Sequence, residues 1–279
     1  MKQYSINDIE IWADGLDHPE CVVVHPDGSL WAGGEGGQLY HITSKNEFHE
    51  VANTGGFVLG LAFSPQGWLA ICDLKKKCVW KYDTQKNELT LFANEAGGRR
   101  FQTPNFPVFD KQGNLYVSDS GEFRKHNGCL YRFTPGGIGE IWHAGPFSFA
   151  NGMALSANQQ TLYVVSTWLP GVEAIAIGPD GSAGIRNTVV QLPETCPDGI
   201  ALDEDENLYI SCYAPNTIYR YTSKGELSTL IHDWEAHTIC NPTNIAFGGK
   251  DRRDLFIAGL GRWHIAKLEL ETAGLPLAY

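Results

Sequence analysis

The sequence predicts an all-β fold, a six-bladed β-propeller of four-stranded blades whose ring is closed by the N-terminal strand. Three observations predict it. One sentence is written six times: ECVVVHPDGSLWAGG (20–34), LGLAFSPQGWLAICD (59–73), NFPVFDKQGNLYVSD (105–119), NGMALSANQQTLYVVS (151–166), DGIALDEDENLYISC (198–212) and TNIAFGGKDRRDLFIAG (243–259). The anchors Val23, Ala62, Val108, Ala154, Ala201 and Ala246 recur at intervals of 39, 46, 46, 47 and 45 residues, about one propeller blade each. Finally, IEIWADG (9–15) reads as a strand with no blade of its own.

Each copy is an apolar run, a polar turn and a second apolar run, which reads as two strands joined by a tight connection. A third strand follows in every copy: 37–42, 78–83, 128–133, 171–177, 217–222 and 264–270. A fourth follows in most, as in LTLFA (89–93) and GEIWHA (139–144). The last copy has little chain left after its third strand, so the strand at 9–15 is expected to complete blade six and shield its edge. No long amphipathic helix pattern interrupts the series. Asp-Gly or Gln-Gly turns inside several of the units favour meandering antiparallel strands over a solenoid. The whole chain, 1–279, reads as one propeller domain.

Composition bounds the function. Hydrophobic residues make up 43% and charged residues 19%, as a packed core requires. The formal net charge of −11 argues against nucleic acid, whose phosphates need a basic face. No stretch approaches the roughly 18 uninterrupted apolar residues of a membrane span, and MKQYSINDIE has no apolar segment of a signal peptide. Seven cysteines at irregular spacings, without C-x-x-C, read as reduced thiols of a cytoplasmic protein. No zinc spacing, nucleophile elbow or phosphate-cradling glycine loop occurs, and no obligatory protein partner is evident.

The chemistry lies in one column. The first residues of the six copies are Glu20, Leu59, Asn105, Asn151, Asp198 and Thr243. In a propeller these positions ring one mouth of the central channel. Each alone fits an ordinary turn residue. Four carboxylate or carboxamide side chains in one column suit a hard divalent cation, with Ca²⁺ taking about 6–8 oxygens. The second strands end on the same face, placing Asp73, Asp119 with Ser120, Ser166 with Thr167, and Cys212 with Tyr213 at the rim. Glu122, Phe123 and Trp168 lie in the loops beyond, and polar and aromatic groups around a metal suggest a small-molecule pocket. His18, two residues before Glu20, reads as a structural histidine.

Together, HPECVV (18–23), ANGMALS (150–156), PDGIALD (197–203), LYISCY (208–213) and NPTNIAFGG (241–249) resemble the regucalcin–gluconolactonase family of six-bladed propellers over nearly the whole chain. The resemblance implies metal ligands at Glu20, Asn151 and Asp198, a substrate-side asparagine at Asn105 and a sugar-side glutamate near Glu122. It implies a divalent cation, with Ca²⁺ favoured by the all-oxygen set and Mn²⁺, Mg²⁺, Zn²⁺ or Fe²⁺ as alternatives. It also implies hydrolysis of a small lactone, aldonolactones among the candidates, with Asp198 as general base and Asp119, Glu122 and Trp168 in the pocket. Phosphotriester hydrolysis on the same metal and a non-catalytic calcium-binding propeller are the alternatives. One position departs from the pattern. Sugar-lactone members of the animal type carry an arginine two residues before the asparagine, where this chain has Thr103, with Arg99 and Arg100 upstream. FQTPNFP (101–107) is also more apolar than a sugar site suggests.

Overall fold

A computed structural model describes residues 4–277; the outermost residues of the expected domain, 1–3 and 278–279, lie outside them. Six four-stranded antiparallel sheets form the blades of a propeller. The inner strands are Cys21–Val24, Val58–Phe63, Pro104–Phe109, Ala150–Leu155, Cys196–Leu202 and Pro242–Gly248, in blades one to six. Each inner strand packs against the inner strands of both neighbouring blades, and blade six meets blade one. Among the described residues the helical content is a single 3-10 turn, Ile6–Asp8.

Closure follows the expected route. Ile9–Asp14 pairs antiparallel with His264–Glu269, from Ile9 opposite Leu268 to Asp14 opposite His264, with a bulge between Ile11 and Ala13. Glu10 receives Lys267 at 2.8 Å and Lys45 at 2.6 Å, which holds its carboxyl below the usual range. The inner ring closes separately: Thr243 Oγ1 donates to the Glu20 carbonyl at 2.7 Å, and Val22 N–H donates to Asn244 Oδ1 at 3.0 Å. The termini are thus tied both at the outer edge of blade six and at the channel wall.

Six apolar clusters fill the gaps between blades, drawing residues from adjacent sheets. Hydroxyls near the ends of second strands stitch one blade to the next. Ser118 Oγ donates to the Asn151 carbonyl at 2.8 Å, Ser120 Oγ to Ala150 at 2.7 Å, Thr167 Oγ1 to Pro197 at 2.8 Å and Ser211 Oγ to Thr243 at 3.1 Å. These bonds satisfy carbonyls that bulges in the inner strands release from their own ladders.

At the opposite end, an aspartate pins the turn between first and second strands in blades three and five. Asp203 in blade five is fully buried and accepts from Asn207 N–H at 2.9 Å, both from Asn207 Nδ2 and from Tyr209 OH. Asp110 in blade three takes Asn114 N–H at 2.8 Å in the same way. The acidic turn of blade five therefore supports the fold from the end away from the candidate site. One element went unread in the sequence: Glu95–Ala96 and Arg99–Arg100 form a two-residue hairpin between blades two and three, turned by Gly97 and Gly98, both at positive φ.

Candidate functional site

Asn151-Gly152 and Asp198-Gly199 lie inside inner strands, at bulges between Ala150 and Met153 and between Pro197 and Ile200. A bulge bends the strand and re-aims its side chain. The glycines meet a different demand from a turn's. A Cβ on Gly152 would sit 2.6 Å from the Asp198 carbonyl, and one on Gly199 would sit 2.5 Å from the Thr243 carbonyl. Neighbouring backbones approach so closely here that only glycine fits.

These bulges bring Asn151, Asp198 and Glu20 together at one mouth. Asn151 Nδ2 donates to Thr167 Oγ1 at 3.2 Å and also to the Asp198 carboxylate. With both N–H bonds used, its carbonyl oxygen is what the side chain has left to offer. Glu20 follows a residue-18 backbone at positive φ, and its own N–H bonds to the Gly33 carbonyl at 3.3 Å. Glu20 and Asp198 are half-buried as residues. Burial raises the Asp198 pKa to about 8, against the opposing bond from Asn151. Burial, then the Asp198 charge, then that of Glu35 push Glu20 up as well. Glu20 Oε2 is buried without a hydrogen-bond partner.

That orphaned oxygen is the test of metal fit. A buried carboxylate without a countercharge costs several kcal/mol in effective desolvation; two side by side can relieve that cost by taking up protons or by sharing a cation. Two carboxylates and a carboxamide oxygen form an all-oxygen set suited to a hard divalent ion. Among the described residues no three His, Cys, Asp or Glu side chains cluster to hold a metal ion, at this mouth or away from it; the set here is two carboxylates and a carboxamide.

The rest of the column divides by role. Asn105 is buried in the inner strand of blade three, with Nδ2 donating to Ser120 Oγ at 3.0 Å. Thr243 braces the Glu20 backbone, as described above, and Leu59 is a buried apolar residue. Most of the rim is structural. Asp73 accepts from Phe57 N–H, Lys76 N–H and Trp80 Nε1. Asp119 is fully buried and accepts from the N–H groups of Gln102 at 2.8 Å, Thr103 at 2.9 Å and Gly121 at 2.9 Å. Ser166 and Cys212 are buried, whereas Tyr213 is 39% exposed and has its pKa raised by burial first and then by Glu20 and other neighbours. Glu122 is exposed and accepts from Asn127 Nδ2 at 3.1 Å.

The two arginines have partners of their own. Arg99 donates to the Asn127 carbonyl at 3.0 Å, and Arg100 is exposed beside Glu95. Thr103 Oγ1 donates to the Gly121 carbonyl at 2.7 Å. The apolar character of 101–107 is core packing: Phe101 is 3% exposed and rings Tyr131 at 4.8 Å. The apolar wall of the mouth comes from elsewhere. Trp168 meets Phe123 edge-on at 5.6 Å and Phe149 at 5.5 Å. His18 is structural as expected, with Nδ1 against Asp17 at 2.9 Å and Nε2 accepting from Trp263 Nε1 at 2.7 Å. Sequence reading missed Glu35, in a glycine-rich turn, and Phe149, which holds the place two residues before the column that His18 and Thr103 hold in their copies.

Comparison with known proteins places this architecture. The family model described as the SMP-30/Gluconolactonase/LRE-like region matches residues 18–260. The chain belongs to this family. The chain is similar to the gluconolactonase of Zymomonas mobilis, 26% identical over 236 residues, which are 77% of this chain and 64% of that protein. The chain thus spans just under two thirds of that relative's length. Among solved structures, a gluconolactonase of Xanthomonas campestris superposes with a TM-score of 0.80 at 21% identity, covering 94% of this chain and 89% of that one. Regucalcin of Agrobacterium tumefaciens, a calcium-binding protein, gives 0.76 at 16% identity over the full length of both chains. These structural likenesses show the propeller fold of the family.

Proposed function

We propose that the chain is a divalent-cation-dependent hydrolase that opens a small lactone at the mouth formed by blades one, three, four and five. The observation that carries the reading is the unpartnered, buried Glu20 Oε2 beside the desolvated Asp198. Membership of the family and the gluconolactonase of Zymomonas mobilis support the lactone; the calcium-binding relative from Agrobacterium supports Ca²⁺ among the divalent ions. Glu20, Asn151 and Asp198 hold the cation. When bound, it supplies Lewis-acid polarisation of the lactone carbonyl.

The protein's own residues do the rest. Asp198 accepts a proton from water as the water oxygen bonds to the carbonyl carbon. As the ring C–O bond breaks, the same carboxyl returns that proton to the departing ring oxygen, giving a hydroxy acid. A neighbouring positive charge favours the ionised carboxylate that this role requires. Asn105, fixed by Ser120, orients the lactone, and Glu122 and Trp168 flank it. Asp119 positions the loop leading to Asn105. The free cysteines fit a reducing cytoplasmic setting, and no helix among the described residues is long and apolar enough to cross a membrane.

A panel of lactones assayed with cation-stripped and cation-restored protein tests the reading. Turnover should vanish on stripping and return with Ca²⁺ or a substitute. Cation binding at Glu20 and Asp198 without turnover of any lactone would favour a non-catalytic calcium-binding propeller or, if paraoxon were hydrolysed, a phosphotriesterase.

A further inference from the structure

Beside the carboxyl pair, the mouth carries a wall that the proposed hydrolysis of a simple lactone does not need. Phe123 is 65% exposed at the head of the 121–127 loop. It meets Trp168 at 5.6 Å and Phe149 at 6.1 Å, both nearly perpendicular, and Phe149 closes the triangle against Trp168. The cluster is anchored to the site itself. Phe149 lies two residues before Asn151, its carbonyl accepts from Thr167 N–H at 3.1 Å, and Thr167 Oγ1 receives Asn151 Nδ2. Trp168 N–H bonds back to the Ser148 carbonyl at 3.0 Å.

Two further observations bear on what this wall takes. Trp168 Nε1 is buried without an acceptor. Buried indole N–H groups ordinarily find one, and this one has none among the protein's own atoms. Three polar groups near the wall that could grip sugar hydroxyls are already engaged. Arg99 serves the Asn127 carbonyl, Thr103 serves the Gly121 carbonyl, and Glu122 is bonded to Asn127 through both its backbone and its side chain. A polyhydroxylated ring needs several unengaged donors and acceptors, whereas an alkyl or aryl group needs only apolar surface.

We infer that the substrate is a lactone carrying an alkyl or aryl substituent, that Phe123, Phe149 and Trp168 receive the substituent, and that Trp168 Nε1 donates to an oxygen of the ligand. The inference rests on the lactone-hydrolase reading for its reaction and on the aromatic cluster for its specificity.

The test uses the full chain with saturating Ca²⁺. The substrates are γ-butyrolactones of increasing alkyl length, dihydrocoumarin as the aryl member and glucono-δ-lactone as the polyhydroxylated member. Wild-type kcat/KM should rise along the alkyl series, up to about three- to fourfold per methylene if each is fully buried, and should favour dihydrocoumarin over glucono-δ-lactone. In Phe123→Ala the ratio of kcat/KM between long and short lactones should collapse, chiefly through KM. Trp168→Phe keeps a ring and removes the donor; it should weaken all substituted lactones while retaining a chain-length dependence. Titration of the matching γ-lactams, followed by tryptophan fluorescence, separates specificity from chemistry. Lactam affinity that grows with chain length and loses that growth in Phe123→Ala supports the wall even if no lactone is hydrolysed, in which case only the hydrolase reading fails. Preference for glucono-δ-lactone, or chain-length dependence unchanged in both variants, would overturn the inference.

Discussion

At the residue scale, the mouth is governed by two carboxylic acids that burial drives toward protonation. An Asp or Glu with a raised folded pKa stabilises the fold below its unfolded value and loses that contribution as pH rises through the folded value. For Asp198 the window runs from the ordinary carboxylate range near ~4 up to about 8. Chelator-treated protein should therefore melt at lower temperature as pH rises across this window, by at least about 2 °C, and Asp198→Asn should flatten the profile. The acids with lowered values, such as Asp27 at about 2, act below this window and do not confuse it. Cation affinity should run the opposite way, weakening as pH falls and protons compete. Glu20→Gln and Asp198→Asn should each weaken Ca²⁺ binding by about tenfold or more in calorimetric titration; unchanged affinity in both would move the site. At saturating cation, Asp198→Asn should lower kcat by about 10²–10⁴-fold, whereas Asn105→Ala should act mainly on KM.

At the scale of elements, the site is made by bulged inner strands held by hydroxyls from second strands. Gly199 allows the Asp198 bulge to press against the Thr243 carbonyl. Gly199→Ala should cost about 1–3 kcal/mol through overpacking, lowering Tm and, because the displaced backbone carries Asp198, cation affinity with it. Loss of stability with full cation affinity would show that the bulge can shift without moving its side chain. Asp119 acts at this scale too. With three backbone N–H groups on its carboxylate, Asp119→Ala leaves buried donors at Gln102, Thr103 and Gly121 unsatisfied. Its defect should appear in Tm and in protease sensitivity of 101–105 even without substrate, as a substrate contact alone would not.

At the scale of the molecule, closure is shared between the outer strand Ile9–Asp14 and the inner contacts of Thr243 and Asn244. Deletion of residues 1–15 removes the outer pairing, opens the edge at His264–Glu269 and exposes part of two apolar clusters. The truncated protein should melt well below the full chain in one transition, and concentration-dependent association through the freed edge should follow. Melting unchanged from the full chain would mean that the inner contacts close the ring alone.

Blade number, inner strands and closure were legible because a repeated pattern of period-two strands leaves little topological choice, and the unpaired strand at 9–15 has one natural edge to join. The column of Glu20, Asn105, Asn151 and Asp198 was legible for the same reason, since equivalent positions of repeats share one mouth. What the column does was decided by tertiary contacts. Asn151 and Asp198 read as the first residues of inner strands, yet they sit at bulges inside them, where each following glycine faces the backbone of the next blade. Asp119 and Glu122 read alike as rim acids, yet one is filled by backbone donors and the other is exposed on a loop. The aromatic wall joins Phe123 and Trp168 from loops to Phe149 at the entry of an inner strand, and Phe101, apolar in sequence, goes to the core. Periodicity determines which strands line the channel, because strand side chains alternate by local geometry. Which atoms are left without partners depends on neighbours about 20 to 220 residues away, and only the closed ring brings those together.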